Sequence, residues 1–383
     1  YYNYENDTLA PLGSTWVTFG YSDAGRQNEI RYRLLSLQAW VLRNVVKSPF
    51  SIIEKMQFFW HNHFVVDRES VIDPRAYYQY FALIRNFAVG DFREFAKRMT
   101  IEPAMLLYLN GNTNSVTAPN ENYARELLEL FTIGKGPLIG PGDYTNYTET
   151  DVIEIAKVLT GWRTTGLNSI TGAPAASAFF RNSHNTGSKT LSVHFANTII
   201  TNGNENEYKT LIDVIFQQEE VSKFICRKLY RYFIYYKITP DIETNVIEPM
   251  AQILRDNNYE IGYALRALLS SEHFFDPWVR GAMIKNPIDV TATNIRQMEV
   301  PLPDDEIQLY FKCSLLTNYL VLMQLDYLSP PNVAGFKAYY QEPGYYQLWV
   351  NSSSLPYLFG ISGALISTQG FGRNEQNMKA DVV

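Results

Sequence analysis

The stretch RYRLLSLQAWVLRNVVK, residues 31–47, decides the fold class of this chain. Its apolar side chains recur every three or four positions, so a helix would gather them on one face. The residues on this face are Leu34, Leu37, Trp40, Val41 and Val45. A long segment with the helical period of about 3.6 residues is typical of an amphipathic helix that packs on a core. The stretch therefore predicts a helical protein.

The same pattern continues along most of the chain, with capping residues at the predicted helix starts. Asp73-Pro74, Thr239-Pro240 and Asn286-Pro287 each place an N-cap residue before a first-turn proline. Ser51 with Glu54, and Thr148 with Asp151, have the spacing of a capping box. Further helices are predicted over residues 103–110, 119–133, 219–236, 240–257, 259–270, 285–297 and 304–328. These elements predict an all-α fold, a multi-helix array.

Two segments lack the helical period. Residues 163–206 are rich in Gly, Ser, Thr and Asn, and we interpret them as a long irregular insertion with a short β-hairpin through KTLSVHF, 189–195. Residues 330–354 form a second irregular segment. Strands are expected only in these two segments. Because no repeat or linker divides the chain, residues 1–383 are predicted to form a single mainly helical domain.

Composition excludes several classes of protein. Hydrophobic residues make up 46% of the 383 residues and charged residues 19%, which is typical of a globular chain. A net charge of −6 argues against a general nucleic-acid binder. No apolar run reaches the roughly 18–20 residues that a membrane span needs. The only cysteines, Cys226 and Cys313, are interpreted as two buried thiols in preference to one bridge.

The segment FWHNHF, residues 59–64, places two of the five histidines one residue apart among aromatic side chains. Buried imidazoles need partners, so His61 and His63 indicate a metal, a proton-transfer role or a hydrogen-bonded polar core. The i, i+2 spacing does not put both rings on one helix face, which favours the polar core over a metal. Trp60 and Asn62, from the same segment, are candidate binding residues.

The segment PNENYARELLELFTIG, residues 119–134, combines carboxylates with apolar side chains. Glu126 and Glu129 share a helix face and could act as general acid and base or as ligands of a hard metal ion. Arg125 would then bind an anion or a carboxylate. The alternative is a buried Glu–Arg–Asn network that fixes helix register. The candidate binding residues of this segment are Asn120 and Asn122. We expect FWHNHF to pack on NENYARELLEL, residues 120–130, with imidazole donors facing carboxylate acceptors.

A third polar group lies in the long insertion, in RNSHNTGSKT, residues 181–190. His184 and Lys189 stand among Ser, Asn and Gly, where no core role explains them, and polar loops on a rigid scaffold often carry function. A solvated surface is the alternative. Trp162 precedes the insertion and is a further candidate binding residue. The basic face of 219–236, with Lys223, Arg227, Lys228 and Arg231, is predicted to be solvated.

Six blocks in order give the chain a family resemblance. They are FWHNHF, MLLYLNGNTN with PNENYARELLELFTIG, YTETDVIEIAKVLTGW, VSKFICRKLYRYF, SSEHFFDPWVRGAMIKNPID, and PPNVAGFKAYYQEPGYYQLWVNSSSL. From about residue 30 to 360 the chain resembles the bacterial family known as domain of unknown function 1800. The resemblance implies an exported protein, with a second secreted protein as a possible partner, and it implies no particular reaction.

The chain departs from the family pattern at two places. Asn185 follows His184 where the family usually has aspartate, and Phe336 follows Gly335 where it usually has tryptophan. The first departure weakens position 185 as a metal ligand or base.

Two hypotheses follow for a single cleft formed by His61, His63, the 120–129 helix, Trp162 and His184. In the first, the protein is a hydrolase or lyase that acts on an extracellular polymer. Its acid and base would be Glu126 or Glu129, with His61 or His63 as a second proton carrier or metal ligand. In the second, it is a non-catalytic surface, binding or assembly protein whose polar clusters are structural and whose partner face is an exposed aromatic patch.

The cofactor and the partner follow from the same residues. His61, His63 and Glu126 could hold zinc, manganese or calcium, but the awkward spacing favours a site without metal over one with a divalent ion. Tyrosine and tryptophan could line a groove for a polysaccharide or another envelope polymer.

Overall fold

The computed structural model describes residues 7–140, 143–336, 349–372 and 377–381. Most of them are helical, which confirms the all-α prediction. The helices are α1 Arg26–Lys47, α2 Ile53–His61, α3 Pro74–Asn86, α4 Phe92–Thr100, α5 Pro103–Tyr108, α6 Asn122–Glu126, α7 Glu149–Val158, α8 Glu207–Ile215, α9 Glu219–Phe233, α10 Pro240–Ile242, α11 Glu248–Asp256, α12 Ile261–Leu269, α13 Pro287–Gln297, α14 Glu306–Leu322 and α15 Leu355–Ile366. None of the helices in these described parts is long and apolar enough to cross a membrane.

Two helices continue through π-helical turns. The turn Leu127–Thr132 extends α6, and the turn Glu243–Ile247 joins α10 to α11. Such turns widen the helix and leave backbone carbonyls available to partners outside the helix. The first of them lies inside the predicted helix 119–133 and supplies carbonyl groups to the polar cluster described below.

Most of the predicted caps form. The side chains of Asp73, Thr239 and Asn286 each accept a backbone N–H at the start of their helices. Thr148 and Asp151 make the complete capping box. The box predicted at Ser51 is wrong, because α2 begins at Ile53 without a side-chain cap.

The strands are short antiparallel pairs. They are β1 Leu138–Gly140 with β2 Asp143–Tyr144, β3 Trp162–Thr165 with β4 Ala176–Phe179, and β5 Lys189–Thr190 with β6 Ile199–Ile200. The insertion therefore contains hairpins, although only the first two residues of KTLSVHF are strand. The prediction that strands occur only in 163–206 and 330–354 is wrong for β1 and β2. Residues 330–336 and 349–354 form no regular helix or strand before α15, and the rest of 330–354 lies outside the described residues.

The core is one contiguous cluster of buried apolar side chains. Helices α1 and α14 pack along each other, and α2 packs on α3. Trp60 lies in an aromatic group with Phe64, Phe92 and Phe95, and its indole N–H donates to the Ala88 carbonyl at 2.9 Å. Trp60 is wholly buried. Its role is therefore packing, because no face of it remains for a ligand.

A buried ionic network around Asp73 and Arg75 fixes the N-terminal region to α3. The Arg75 guanidinium lies 2.7 Å from the Asp73 carboxylate, which also accepts the Tyr21 hydroxyl at 2.6 Å. Arg33 pairs with Asp7 at 2.8 Å, and both guanidinium groups lie over the Tyr21 ring, at 4.6 and 4.7 Å. We call these five residues the Asp73 network.

The same network holds the start of the insertion. The Asn168 N–H donates to Asp73 at 2.8 Å, and Arg75 donates to the carbonyls of Gly166 and Ala173 at 3.2 and 3.1 Å. The irregular segment is thus anchored on a helix start by charged hydrogen bonds. Elsewhere, Cys226 and Cys313 are both buried and unpaired, as the sequence predicts.

Candidate functional site

His61, the last residue of α2, is completely buried. Its Nε2–H donates to the Tyr327 carbonyl at 2.6 Å, and its Nδ1 lies 2.9 Å from the Tyr80 hydroxyl. Burial lowers the pKa of His61 to about 4, against the opposing effect of the Tyr327 carbonyl. The ring is therefore neutral at pH 7, and both of its nitrogens are occupied within the protein.

His63 lies two residues after His61, beyond the end of α2, and connects three elements. Its Nε2–H donates to the Phe131 carbonyl in the π-helical turn at 3.0 Å, so its Nδ1 accepts from Lys228 Nζ, also at 3.0 Å. Lys228 donates as well to the Leu130 carbonyl at 2.8 Å. Burial, together with the nearby Lys228 charge, lowers the pKa of His63. The imidazole thus serves as a hydrogen-bond acceptor for a lysine.

Lys228 was missed by the sequence analysis, which predicts a solvated basic face on α9. No carboxylate in the described parts of the chain forms an ion pair with it, and its Nζ lies 4.8 Å from the Phe224 ring centroid. Burial, and then the charge of Arg231, lower the pKa of Lys228 to about 7. The i, i+4 spacing of Lys228 and the buried Tyr232 on α9 was the available signal that this side chain faces inward.

FWHNHF packs on the 119–134 segment through Phe131, one residue beyond the predicted partner 120–130, and its chemistry differs from the prediction. The rings of Phe64 and Phe131 lie 5.0 Å apart, and His63 bonds the Phe131 carbonyl. Among the described residues, no hydrogen bond joins His61 or His63 to a carboxylate of this segment. The expected imidazole–carboxylate pairing is wrong because the π-helical turn offers backbone carbonyls instead.

Asn62 connects FWHNHF to the C-terminal block. Its Oδ1 accepts the Phe336 N–H at 2.6 Å. Gly335, at φ +77°, packs so closely that an added Cβ would lie 2.2 Å from that oxygen. Only glycine fits this conformation and this contact. Asn62 therefore serves to hold the two blocks together.

The acidic helix α6 is tied to α7 by Arg125. Its guanidinium makes two hydrogen bonds to Glu149, at 2.8 and 2.7 Å, and one to Glu121 at 3.2 Å. The hydrogen bonds from Arg125 lower the pKa of Glu149. Glu129 accepts from the Tyr147 hydroxyl at 3.3 Å and lies 3.6 Å from Lys135 Nζ. Both predicted site residues, Arg125 and Glu129, thus have partners within the protein.

Glu126 differs from its neighbours. It is half-buried, and no hydrogen bond or ion pair holds its carboxylate within the described part of the chain. Burial, and then the charge of Glu129, raise the pKa of Glu126. Burial and the charges of Asp67 and Glu126 raise the pKa of Tyr108 to about 12. Glu126 is thus the predicted catalytic residue whose carboxylate remains available for chemistry.

The two asparagines at the start of this segment shape a turn. Asn120 accepts the Asn122 N–H at 2.9 Å, and its own N–H donates to Asn114 at 2.9 Å. Asn114 is buried and donates to the Ala156 carbonyl at 2.9 Å. Asn122 is exposed. These contacts order the chain before α6 and leave the Asn122 side chain at the surface.

The polar residues of the insertion form a buried ion group. His184 Nε2 lies 3.0 Å from the Glu207 carboxylate and its Nδ1 lies 2.9 Å from the Thr160 carbonyl. Lys189 forms an ion pair with Glu207 and donates to the Asn185 carbonyl at 2.5 Å. The side chains of His184, Lys189 and Glu207 are all 0% exposed, so the solvated-surface alternative is wrong. Glu207, which the sequence analysis missed, is the first residue of α8.

These residues do not assemble into the single cleft that the sequence predicts. His61, His63, Glu126 and His184 share no hydrogen-bonding partner, and Trp162 packs instead on Phe179 and Tyr208. Across the described ranges, no three His, Cys, Asp or Glu side chains form a group that could hold a metal ion. The structure therefore does not bring His61, His63 and Glu126 together as ligands.

An open cleft lies elsewhere, between the end of α9 and the start of α13, and we call it the α9–α13 cleft. It has a volume of about 580 Å³ and mixes aromatic with charged side chains. Its lining residues are Lys55, Tyr232, Phe233, Ile234, Phe274, Phe275, Val279, Arg280, Gly281, Met283, Ile284, Lys285, Asp289 and Thr293. Most of them come from the blocks VSKFICRKLYRYF and SSEHFFDPWVRGAMIKNPID.

Phe275, a wall of this cleft, and Trp278 are both exposed. Phe275 is 61% exposed, and Trp278, its near neighbour in sequence, is 90% exposed. Three lining cations, Lys55, Arg280 and Lys285, face a single lining carboxylate, Asp289. The sequence analysis missed this site because the 272–285 segment has no period, although its dense aromatic and basic residues were a visible signal.

Comparison with known proteins gives a family and nothing more specific. Searches among curated proteins and among solved structures find no match. A family model described as protein of unknown function (DUF1800) matches residues 5–379, nearly the whole chain. The chain therefore belongs to the DUF1800 family.

Proposed function

We propose that this protein is a non-catalytic binding protein of the bacterial exterior, which holds an envelope polymer in the α9–α13 cleft. The export implied by the family resemblance is part of this proposal. The observation that carries it is the internal pairing of His61 and His63, whose four ring nitrogens all have partners inside the protein.

The histidine contacts weigh against a role in proton transfer. A general acid or base must lie within hydrogen-bond reach of the group it serves, directly or through a water molecule. His61 and His63 are buried, and their hydrogen bonds go to Tyr80, Tyr327, Phe131 and Lys228. A buried polar cluster held by hydrogen bonds from several elements rigidifies a core, which is a structural role.

The α9–α13 cleft supports a binding role through its size and lining. Ligand sites usually occupy about 300–1,000 Å³ and combine apolar walls with a few polar groups. The volume of about 580 Å³ lies inside this range, and Phe274, Phe275 and Tyr232 supply flat aromatic walls. Aromatic rings give a large contact area to the apolar faces of a ligand, while nearby cations orient its polar groups.

Removing an aromatic wall tests whether the cleft binds a polymer. We expect Phe275→Ala to weaken binding about tenfold, because a well-packed aromatic contact contributes on the order of 1–2 kcal/mol. Binding to a panel of purified envelope polysaccharides would be measured by affinity electrophoresis. Phe359→Ala is the matched control, since Phe359 is 73% exposed on α15 and does not line the cleft. Equal losses in both variants, or no binding by the unmodified protein, would contradict the proposal.

Glu126 favours the second candidate, a polymer hydrolase or lyase. Its partly buried carboxylate has a raised pKa and no partner among the described residues, which suits a general acid. Glu129 is the second carboxylate that this candidate needs. Its lysine and tyrosine contacts are long, at 3.6 and 3.3 Å.

Thermal melts of His63→Ala and Glu126→Ala compare the two candidates. We expect His63→Ala to lose about 3 kcal/mol of stability, because Lys228 and the Phe131 carbonyl lose a partner and a cavity forms. Glu126→Ala should change stability little, because no donor depends on its carboxylate. An unchanged melting temperature for His63→Ala would contradict the structural role of the histidines. A large loss for Glu126→Ala would make that residue structural and remove the main support for an enzyme.

A further inference from the structure

A second, smaller compartment adjoins the α9–α13 cleft. It has a volume of about 170 Å³ and shares Lys55, Asp289 and Thr293 with the cleft. Phe58 and Tyr327 are among its walls, and Arg296 supplies a further cation. The three shared residues lie between the two compartments. We call the cleft and the smaller compartment together the groove.

The ion pair between Lys55 and Asp289 lies at this junction. The Lys55 ammonium also lies 5.1 Å from the Tyr232 ring centroid, and Asp289 accepts from Asn286 at 2.9 Å. The two side chains are 32% and 24% exposed. Pairs as exposed as this contribute little to stability. A carboxylate of a ligand could therefore replace Asp289 as the partner of Lys55 at small cost.

The other cations of the groove have no acidic partners. In the described chain, neither Arg280 nor Lys285 forms an ion pair, and Lys285 donates only to the Thr293 hydroxyl at 3.1 Å. Arg296 donates to the carbonyls of Val45 and Ser48, which carry no net charge. Glu54, the other acid of the smaller compartment, is bound to Arg85. The groove is thus positive on a chain of net charge −6, which complements an anionic ligand.

The shape of the groove favours a glycan over a peptide strand. Its walls come from α1, α2, α9, the 3-10 turn Glu272–Phe275, the irregular segment 276–286 and α13. None of these elements is a β-strand whose edge could bind an extended peptide. Phe275, which is 61% exposed in the larger compartment, offers a flat face to a sugar ring. A sugar chain with carboxylates would contact the aromatic rings through its sugar faces and the cations through its carboxylates.

We propose that the groove binds an acidic glycan that crosses both compartments, with Lys55 exchanging its partner Asp289 for a carboxylate of the sugar chain. This inference rests on the proposed binding function. It adds the charge class of the polymer, the path of the chain and the residues that select it. Arg280 and Lys285 bind one carboxylate in the larger compartment, and Lys55 binds the next at the junction.

Isothermal titration with three polymers of similar length tests the inference. The probes are alginate, whose sugar rings carry carboxylates, neutral dextran, and poly-L-glutamate. We expect alginate to bind at least about tenfold more tightly than dextran, because each charged hydrogen bond adds to affinity. The double variant Arg280→Gln/Lys285→Gln should lose this preference. The control is Lys209→Gln, because Lys209 is an exposed lysine on α8.

Asp289→Asn tests the partner exchange. Removing the carboxylate that competes for Lys55 should let this variant bind alginate about two- to fivefold more tightly, a gain of the size expected for a partly exposed ion pair. Weaker or unchanged binding of alginate by Asp289→Asn would overturn the proposed exchange of partners by Lys55.

The three-polymer titration has its own contradicting outcomes. Equal affinity of the unmodified protein for alginate and dextran would overturn the charge selection while leaving the binding function intact. Tighter binding of poly-L-glutamate than of alginate would overturn the proposal that the ligand is a glycan. Binding of none of the three probes, or of the envelope panel, would count against the binding function itself.

Discussion

Replacing Asp73 by alanine is expected to lower the free energy of unfolding by about 4 kcal/mol, in the range measured when one partner of a buried ion pair is removed. The substitution removes the acceptor of the Tyr21 hydroxyl and leaves the Arg75 guanidinium, which is 1% exposed, with backbone carbonyls but no carboxylate to balance its charge. It also removes the side-chain cap of α3, which contributes about 1 kcal/mol. Arg33 lies over the same Tyr21 ring but keeps its own buried partner, Asp7.

The pH dependence of the Asp73 contribution to the free energy of unfolding gives a second readout. Burial acts to raise the pKa of Asp73, but the hydrogen bonds from Arg75 and Tyr21 outweigh burial and hold the pKa below its usual value. A carboxyl with a lowered pKa in the folded state stabilises the protein above its unfolded pKa and loses that contribution as the pH falls through the folded pKa. The difference between Asp73→Ala and the unmodified protein should therefore shrink on acidification below about pH 4.

Urea denaturation at pH 7 measures the effect. Asp23→Ala is the control, because Asp23 is 85% exposed and pairs with Arg26 across one helical turn only. That variant should show no measurable change, as is usual for surface pairs. A loss below about 1 kcal/mol for Asp73→Ala, the value of an ordinary hydrogen bond, would show that the Asp73 network does not carry the stability assigned to it.

Where the sequence predicts the fold well, the determinants are local. Asp73-Pro74 and Thr148 with Asp151 need only their neighbours to start a helix, and both form. The capping box predicted from local sequence at Ser51 and Glu54 does not form. Its hydroxyl accepts the Ile53 N–H at 3.2 Å, and Glu54 is drawn to Arg85 at 2.6 Å. A contact 31 residues away has replaced the capping box, and no local pattern reveals such a partner.

Local sequence reveals even less about the candidate site, whose contacts join residues far apart along the chain. The sequence indicates correctly that His61 and His63 need buried partners, but those partners lie far along the chain. Tyr327 is 266 residues from His61, and Lys228 is 165 residues from His63. Spacing along one helix contains no information about such pairs. The sequence does not predict the α9–α13 cleft for the same reason. The cleft exists only where the end of α9 meets the 272–293 region in the folded chain.

Glu102 gives the second large effect that we expect, a stabilising substitution. It caps α5, where one carboxylate oxygen accepts the Ala104 and Met105 N–H groups at 2.6 and 3.0 Å. The other oxygen is buried without a hydrogen-bond partner in the described structure. Burial raises the pKa of Glu102 to about 8, although the two backbone N–H groups oppose the shift. A glutamine has the same shape and keeps an oxygen for the cap, but it carries no charge to bury.

The sign of the pH effect follows from this shift. Between the unfolded pKa of 4.5 and the folded value of about 8, the unfolded chain releases a proton that the folded protein keeps. The contribution of Glu102 to the free energy of unfolding is therefore fully present below pH 4.5 and is lost as the pH rises toward 8. The loss amounts to about 5 kcal/mol for a shift of this size.

Chemical denaturation of Glu102→Gln and the unmodified protein from pH 4.5 to 9 tests this expectation. We expect the two proteins to be similar at pH 4.5 and the variant to be more stable by about 2–4 kcal/mol at pH 8.5. His61, whose pKa is lowered to about 4, and Lys228, lowered to about 7, give the opposite slope in both proteins, so their contributions cancel in the difference. Glu205→Gln, at an exposed site, is the control and should show no such trend. A difference that does not change with pH, or a variant that is less stable at pH 8.5, would mean that the cap needs the charged carboxylate and that Glu102 is ionised in the folded protein.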